Sequence, residues 1–265
     1  MEGRKQEPSV AARGCSVRRR VLVTLFLFAS APTTASEFAG VSADRQVLLL
    51  GSPWIRHTID DSSLGADGIR TGDINGDGHV DLVTGWEQGG VTRLCLNPGP
   101  LKSRQKWPSV TIGQVDSPED ALLADFDDDG RLDVVSVCEG KCQTIFFHWG
   151  PSNAGGLLDP TAWATTDLPA SRHATQWMYC LAMQIDDRHG VDLIAGSRGP
   201  AAGIGWFQSP TDPRDMAAWQ WHPIYRGRWI MSLVARDMDR DGDQDNEIDI
   251  DLSAEVVRKF GQRDN

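Results

Sequence analysis

Short apolar runs closed by turn residues organise this chain. Ala121-Leu122-Leu123-Ala124, Val134-Val135-Ser136-Val137, Leu82-Val83-Thr84 and Phe146-Phe147-His148-Trp149 are each bounded by clusters of Gly, Pro, Asn, Asp or Ser. Runs of that length with such borders read as β-strands, and no apolar series at helical spacing persists long enough for an amphipathic helix. The runs recur in order. An apolar stretch such as Ala121–Ala124 or Met231–Ala235 leads into an acidic turn, then come a short strand, a glycine-containing turn and a second strand ending near proline. The second strands close as Leu94-Cys95-Leu96-Asn97-Pro98-Gly99, Phe146-Phe147-His148-Trp149-Gly150-Pro151 and Ile204-Gly205-Trp206-Phe207-Gln208-Ser209-Pro210.

A tryptophan keeps time with these runs. Trp54, Trp107, Trp163 and Trp219 each precede an aliphatic by five residues (Ile59, Ile112, Leu168 and Ile224), giving a period of roughly 55 residues. Each unit holds about four short strands, and an isolated unit would leave its apolar faces exposed. The expected fold class is therefore all-β, a β-propeller of four-stranded blades at about 54–106, 107–162, 163–218 and 219–245, the last incomplete. The recurring tryptophan reads as core.

The acidic turns carry the chemistry. Asp73-Ile-Asn75-Gly-Asp77-Gly78-His79-Val-Asp81 is followed by Asp125-Phe-Asp127-Asp-Asp129-Gly130-Arg131-Leu-Asp133 and Asp237-Met-Asp239-Arg-Asp241-Gly242-Asp243-Gln-Asp245. Each is D-x-[DN]-x-D-G-x-x-D. Carboxylates gathered on one tight turn repel one another unless a hard cation sits among them, and Ca2+ takes six to eight oxygens at roughly 2.3–2.6 Å. The motif opens like an EF-hand loop, but Thr84 and Ser136 stand where the bidentate glutamate would be, and a strand follows instead of a helix. The third unit has a damaged copy, Gln184-Ile-Asp186-Asp187-Arg188-His189-Gly-Val-Asp192. Arg188 at its fifth position is expected to take the cation's place, leaving that copy without metal.

From Trp54 to about Asp245, loops and rhythm together resemble the FG-GAP/VCBS repeat family, whose calcium-binding β-propellers include the integrin α-subunit head. The resemblance implies calcium bound by side chains at positions 1, 3, 5 and 9 and by the carbonyl at position 7. Carried over, these are Asp73, Asn75, Asp77 and Asp81 with the His79 carbonyl; Asp125, Asp127, Asp129 and Asp133 with that of Arg131; and Asp237, Asp239, Asp241 and Asp245 with that of Asp243. After Asp245 the chain departs from the pattern into an atypical charged tail, 246–265, where a further strand pair is expected. Either the propeller is truncated there or it is a short, open one, and truncation better avoids unpaired strand edges.

Charge and the N-terminus narrow the setting. A net charge of -11 argues against nucleic acid, which is bound through basic patches. Arg18-Arg19-Arg20, the apolar run Val21–Ala31 and the small residues to Ala35 form a signal peptide over 1–35, with 36–53 a linker or first strand. At about eleven residues the run is short of the ~20 a spanning helix needs, so no stable transmembrane span is expected after cleavage; an uncleaved anchor is the alternative. The protein is then exported, to periplasm, cell surface or medium. Of the five cysteines, Cys15 leaves with the leader and Cys95 and Cys180 sit in apolar runs. Cys138 and Cys142 bracket Glu-Gly-Lys, where a hairpin disulfide and two free thiols are equally open readings.

Catalytic signatures do not appear: there is no G-x-S-x-G, H-E-x-x-H or phosphate loop. The polar stretch Ser171–Tyr179 is the best candidate for a ligand-facing patch. Two functions remain. One is a non-catalytic module for an unknown protein or polysaccharide, with structural calcium. The other is a calcium-dependent polysaccharide lyase or hydrolase using Arg172 or His173.

Overall fold

A computed structural model describes residues 54–230, 232–235 and 248–249. The leader, the linker and the third aspartate loop, Asp237–Asp245, lie outside the described residues. Three four-stranded antiparallel sheets follow one another along the chain. The first holds β1 (Ala66–Gly72), β2 (Asp81–Trp86), β3 (Val91–Cys95) and β4 (Ser109–Gln114). The second holds β5 (Pro118–Ala124), β6 (Asp133–Cys138), β7 (Ile145–Trp149) and β8 (Ala164–Asp167). The third holds β9 (Gln176–Met183), β10 (Asp192–Arg198), β11 (Gly203–Gln208) and β12 (Gln220–Arg226). A two-stranded pair, β13 (Val234–Ala235) with β14 (Ile248–Asp249), follows. Each sheet is a meander in sequence order, and β5 packs against both β1 and β9, so the first strands line one side of the stack. The fold is all-β and β-propeller-like. Among the described residues no helix is long and apolar enough to cross a membrane.

The continuous apolar runs are explained by sheets covered on both faces. Successive side chains of a strand point to opposite faces. On β6, Val134 joins a cluster with Val83, Leu94, Ile112 and Trp163, while Val135 and Val137 join one with Phe147, Trp177, Leu193 and Phe207. On β10, Leu193 and Ala195 face that second cluster, and Ile194 faces a third with Ile204, Ile230 and Leu233. Strand β6 is consequently buried along its whole length.

Polar groups stitch the sheets together. Asp120 on β5, wholly buried, receives Arg70 Nε and Nη2 from β1 at 2.9 and 2.6 Å and the Cys180 N–H of β9 at 3.2 Å. Between the first two sheets Thr92 Oγ1 lies 2.6 Å from Ser136 Oγ, which lies 2.8 Å from His148 Nε2; His148 Nδ1 meets Thr165 Oγ1 at 2.9 Å. Gly113 makes room for that imidazole, since a Cβ there would sit 2.1 Å from His148 Cε1.

The tryptophan period and the sheets are offset by one strand. Trp107, Trp163 and Trp219 stand at the entry to β4, β8 and β12, the fourth strand of each sheet. Each closes the preceding loop by donating its indole N–H to a carbonyl, that of Ser103, Leu157 and Pro213 at 3.1, 3.0 and 2.9 Å. Trp163 and Trp219 are core and Trp107 is half-buried. Trp54 departs from the expectation that the recurring tryptophan is core: it is 98% exposed.

Candidate metal centres

The aspartate loops link the first strand of each sheet to the second. Their shape comes from two left-handed residues, at the fourth and sixth positions. These are Gly76 and Gly78 in the first loop, Asp128 and Gly130 in the second, Asp187 and His189 in the damaged copy. The turn folds the loop's amides inward onto its first side chain. Asp73 accepts from the N–H groups of Gly76, Asp77 and Gly78 at 2.8–3.0 Å, and Asp125 accepts from those of Asp129 and Gly130 at 3.1 and 2.8 Å.

The ninth aspartate has a distinct role in all three described copies. Asp81, Asp133 and Asp192 open β2, β6 and β10 and are buried. One carboxylate oxygen of each accepts the N–H of the loop's second residue: Ile74 at 3.1 Å, Phe126 at 3.3 Å and Ile185 at 2.8 Å. The other accepts an N–H just beyond the third strand: Asn97 at 2.7 Å, Gly150 at 2.8 Å and Ser209 at 2.8 Å. The side chain thus staples the loop to the strand two places along the sheet. Burial outweighs those bonds and raises the titration of each carboxyl, Asp133 to about 7 with the Asp127 charge adding to the effect.

In the second loop, carboxylate oxygens of Asp125, Asp127 and Asp133 lie within 4.8 Å of one another. Arg214, stacked over the Trp149 ring at 4.7 Å, donates through Nε to Asp127 Oδ2 at 2.7 Å. Asp127 Oδ1 is buried with no hydrogen-bond partner. Asp129 turns toward the seventh residue, accepting the Arg131 N–H at 3.0 Å and pairing with its guanidinium. In the first loop Asn75 accepts from the Asp77 N–H at 3.0 Å and donates to Asp77 Oδ2 at 2.9 Å, while Asp77 Oδ1 takes the His79 N–H at 2.8 Å. The His79 N–H and the Asn75 amide together hold Asp77 below the usual carboxylate range. Both loops present hard oxygen donors, and the second adds an unsatisfied buried one, the donor chemistry a hard divalent cation takes.

The damaged copy differs from its expected form. Arg188 does not fill the loop; its side chain is 70% exposed, with Nε 3.9 Å from Asp186. Gln184 does so instead, its Nε2 donating to the carbonyls of Arg188 at 3.0 Å and Gly190 at 2.7 Å. A neutral amide N–H therefore satisfies the fifth- and seventh-position carbonyls. Length and hydrogen-bonding capacity of glutamine at position one were the sequence signal for this, overshadowed by the arginine's charge.

The stretch Ser171–Tyr179 resolves into structural parts. Ser171 is buried and joins the Ile145 N–H to the Leu168 carbonyl, and Trp177 is core and donates to the Ser171 carbonyl. Tyr179 lies under Arg70, 4.0 Å from its ring centroid. Arg172 pairs with Asp167, and His173, exposed and left-handed, donates its backbone N–H to Gln143 O.

At the opposite ends of the first strands lies a group that strand reading missed. Carboxylate oxygens of Asp67, Glu87 and Glu119 come within 4.8 Å, and burial with the neighbouring Glu139 raises Glu119 to about 8. These residues are far apart in sequence, so only stacking of the sheets assembles them. Glu139 pairs with Arg198, and beside it Gly140, Gln176, Arg198, Arg228 and Trp229 border a cavity of about 840 Å³.

No curated protein matches this chain. A family model for an FG-GAP-like repeat matches residues 73–136, a span that begins at Asp73, contains the first two aspartate loops and ends within β6. Residues 73–136 are thus an FG-GAP-like repeat, set in a β-propeller-like fold.

Proposed function

We propose that this chain is an exported interaction module in which calcium fixes the loops of a β-propeller and the protein performs no chemistry on its ligand. The observation that carries the metal reading is Asp127 Oδ1, an anionic oxygen buried without a partner beside Asp125 and Asp133. A buried carboxylate oxygen without a donor is costly, and a divalent cation would offset that cost and draw in Asp125 and Asp133 together. The residues that would hold calcium are Asp125, Asp127, Asp129 and Asp133 with the Arg131 carbonyl, and Asp73, Asn75, Asp77 and Asp81 with that of His79. Asp237–Asp245 is proposed as a third site on its motif alone. The ligand is a protein or polysaccharide, and the leader motif supports export. The test is calorimetry of the chelator-treated protein with added calcium. The melting temperature should rise and binding should be lost from one site in Asp127→Ala; no stabilisation by millimolar calcium would overturn the reading.

A further inference from the structure

Cys138 and Cys142 meet on the turn between β6 and β7. Cys138 ends β6 and is wholly buried, whereas Cys142 is half-buried. The turn is tight. The N–H groups of Cys142 and Gln143 donate to the Glu139 carbonyl at 3.1 and 3.2 Å, and across its neck the Cys138 N–H donates to Thr144 O at 3.1 Å. Gly140 and Gln143 are left-handed, and the turn they produce carries both cysteines, one buried and one half-buried. The Thr144 hydroxyl closes the turn from the other side, donating to the Cys142 carbonyl at 2.7 Å.

The two sulfurs are electrostatically unlike. Donation from the Cys138 thiol, aided by Thr144, lowers Cys142 to about 7. The same contact and burial push Cys138 well above its ordinary value. The other two described cysteines contrast with this. Cys95 and Cys180 are buried beside Asp60 and Asp120, and burial raises both, Cys95 to about 12. A thiol that is accessible and ionised near neutrality is the attacking kind, and a buried protonated neighbour is the resolving kind.

We propose that Cys138 and Cys142 form a redox-active dithiol that exchanges with low-molecular-weight disulfides. The Cys142 thiolate bonds to one sulfur of the external disulfide, whose S–S bond breaks and releases one thiolate. Cys138 then gives its proton to solvent and attacks the Cys142 sulfur of the mixed disulfide, expelling the second thiolate. Two protein thiols become one disulfide, and the external disulfide becomes two thiols. Both cysteines stand on one tight turn, so closing the ~2.05 Å bond joins two ends of the same short hairpin. The closed ring would contain Glu139, which pairs with Arg198 of the third sheet, and Gly140, whose carbonyl accepts the side-chain amides of Gln143 and Gln176 at the cavity rim. Oxidation therefore acts directly on that rim.

The experiment incubates the reduced full chain with oxidised glutathione at pH 7 and reads every cysteine by alkylation and mass spectrometry. The expected product is a Cys138–Cys142 link, with Cys95 and Cys180 still free on denaturation. Cys138→Ser should stop at one glutathione on Cys142, and Cys142→Ser should block reaction at both positions. With its titration lowered toward neutrality, Cys142 should alkylate several-fold faster at pH 7 than a thiol of ordinary pKa. Failure to form the link, a link to another cysteine, or no glutathione on the Cys138→Ser variant would overturn the proposal. Should a variant lose native tryptophan fluorescence, the unsubstituted protein decides: a midpoint for Cys142 alkylation above about pH 8, close to that of an unperturbed thiol, also overturns it.

Discussion

Asp192→Ala separates the architectural role of the ninth loop residue from any metal role. The damaged loop is the place to test it, because Gln184 already occupies the interior of that loop. Asp192 is wholly buried and accepts two backbone N–H groups, from Ile185 and Ser209, both at 2.8 Å. Removing it orphans one buried and one part-buried donor at roughly 1–3 kcal/mol each. Some of that is returned, because burial already disfavours the ionised carboxyl and raises its titration. The expected net loss is about 3–4 kcal/mol for alanine. An asparagine side chain would keep one acceptor but point an amide N–H at the second donor, so Asp192→Asn should lose about 2 kcal/mol. Urea unfolding followed by tryptophan fluorescence measures both, with Arg104→Ala as an exposed control and with calcium or chelator present. The losses should be the same in both solutions. A loss no larger than the control's, or one that appears only with calcium, would refute the staple.

Two further expectations follow from buried or strained groups. His148 is wholly buried and burial depresses it from 6.5 to about 3. The unfolded chain therefore binds the extra proton between those values, so stability should fall as pH drops from about 6.5 towards 3, by on the order of several kcal/mol at the limit. Melting temperature against pH should decline less steeply in His148→Gln; equal slopes would show that His148 does not set the acid limb. His189 holds the left-handed sixth position at φ 55 where the intact loops have glycine. His189→Gly should stabilise by roughly 0.5–1 kcal/mol in the same urea assay, and a destabilisation would mean that its side chain contributes more than the strain costs.

Legibility in the sequence tracked locality. Strands were legible because β6 and β10 are stacked on both faces, which forces unbroken apolar runs such as Val134-Val135-Ser136-Val137. The loops were legible because glycine and aspartate are demanded at fixed offsets by backbone shape. The phase of the tryptophan was not, since a period does not say which strand of a sheet it opens; only pairing of β4 with β3 rather than with β5 assigns Trp107 to the fourth strand. Arg70–Asp120–Cys180 and the carboxylates Asp67, Glu87 and Glu119 were invisible for a related reason. Their partners are separated by tens of residues and meet only when the first strands of successive sheets line up.

The damaged loop shows which parts of the motif the fold keeps when the first and fifth acids are absent. It keeps the left-handed fourth and sixth positions, and it keeps the ninth aspartate with both staple bonds. It has lost the first and fifth acids. If the nine-residue turn were held only by a metal, losing those acids would release position nine from constraint as well. Asp192 instead makes the same two backbone contacts as Asp81 and Asp133. The ninth aspartate is therefore required by the sheet whether or not the loop is filled, and in the intact copies it would serve a cation with lone pairs left over from the staple. Positions one and five are the ones that differ in the damaged copy, and Gln184 there supplies N–H donors to the carbonyls that a cation would otherwise satisfy.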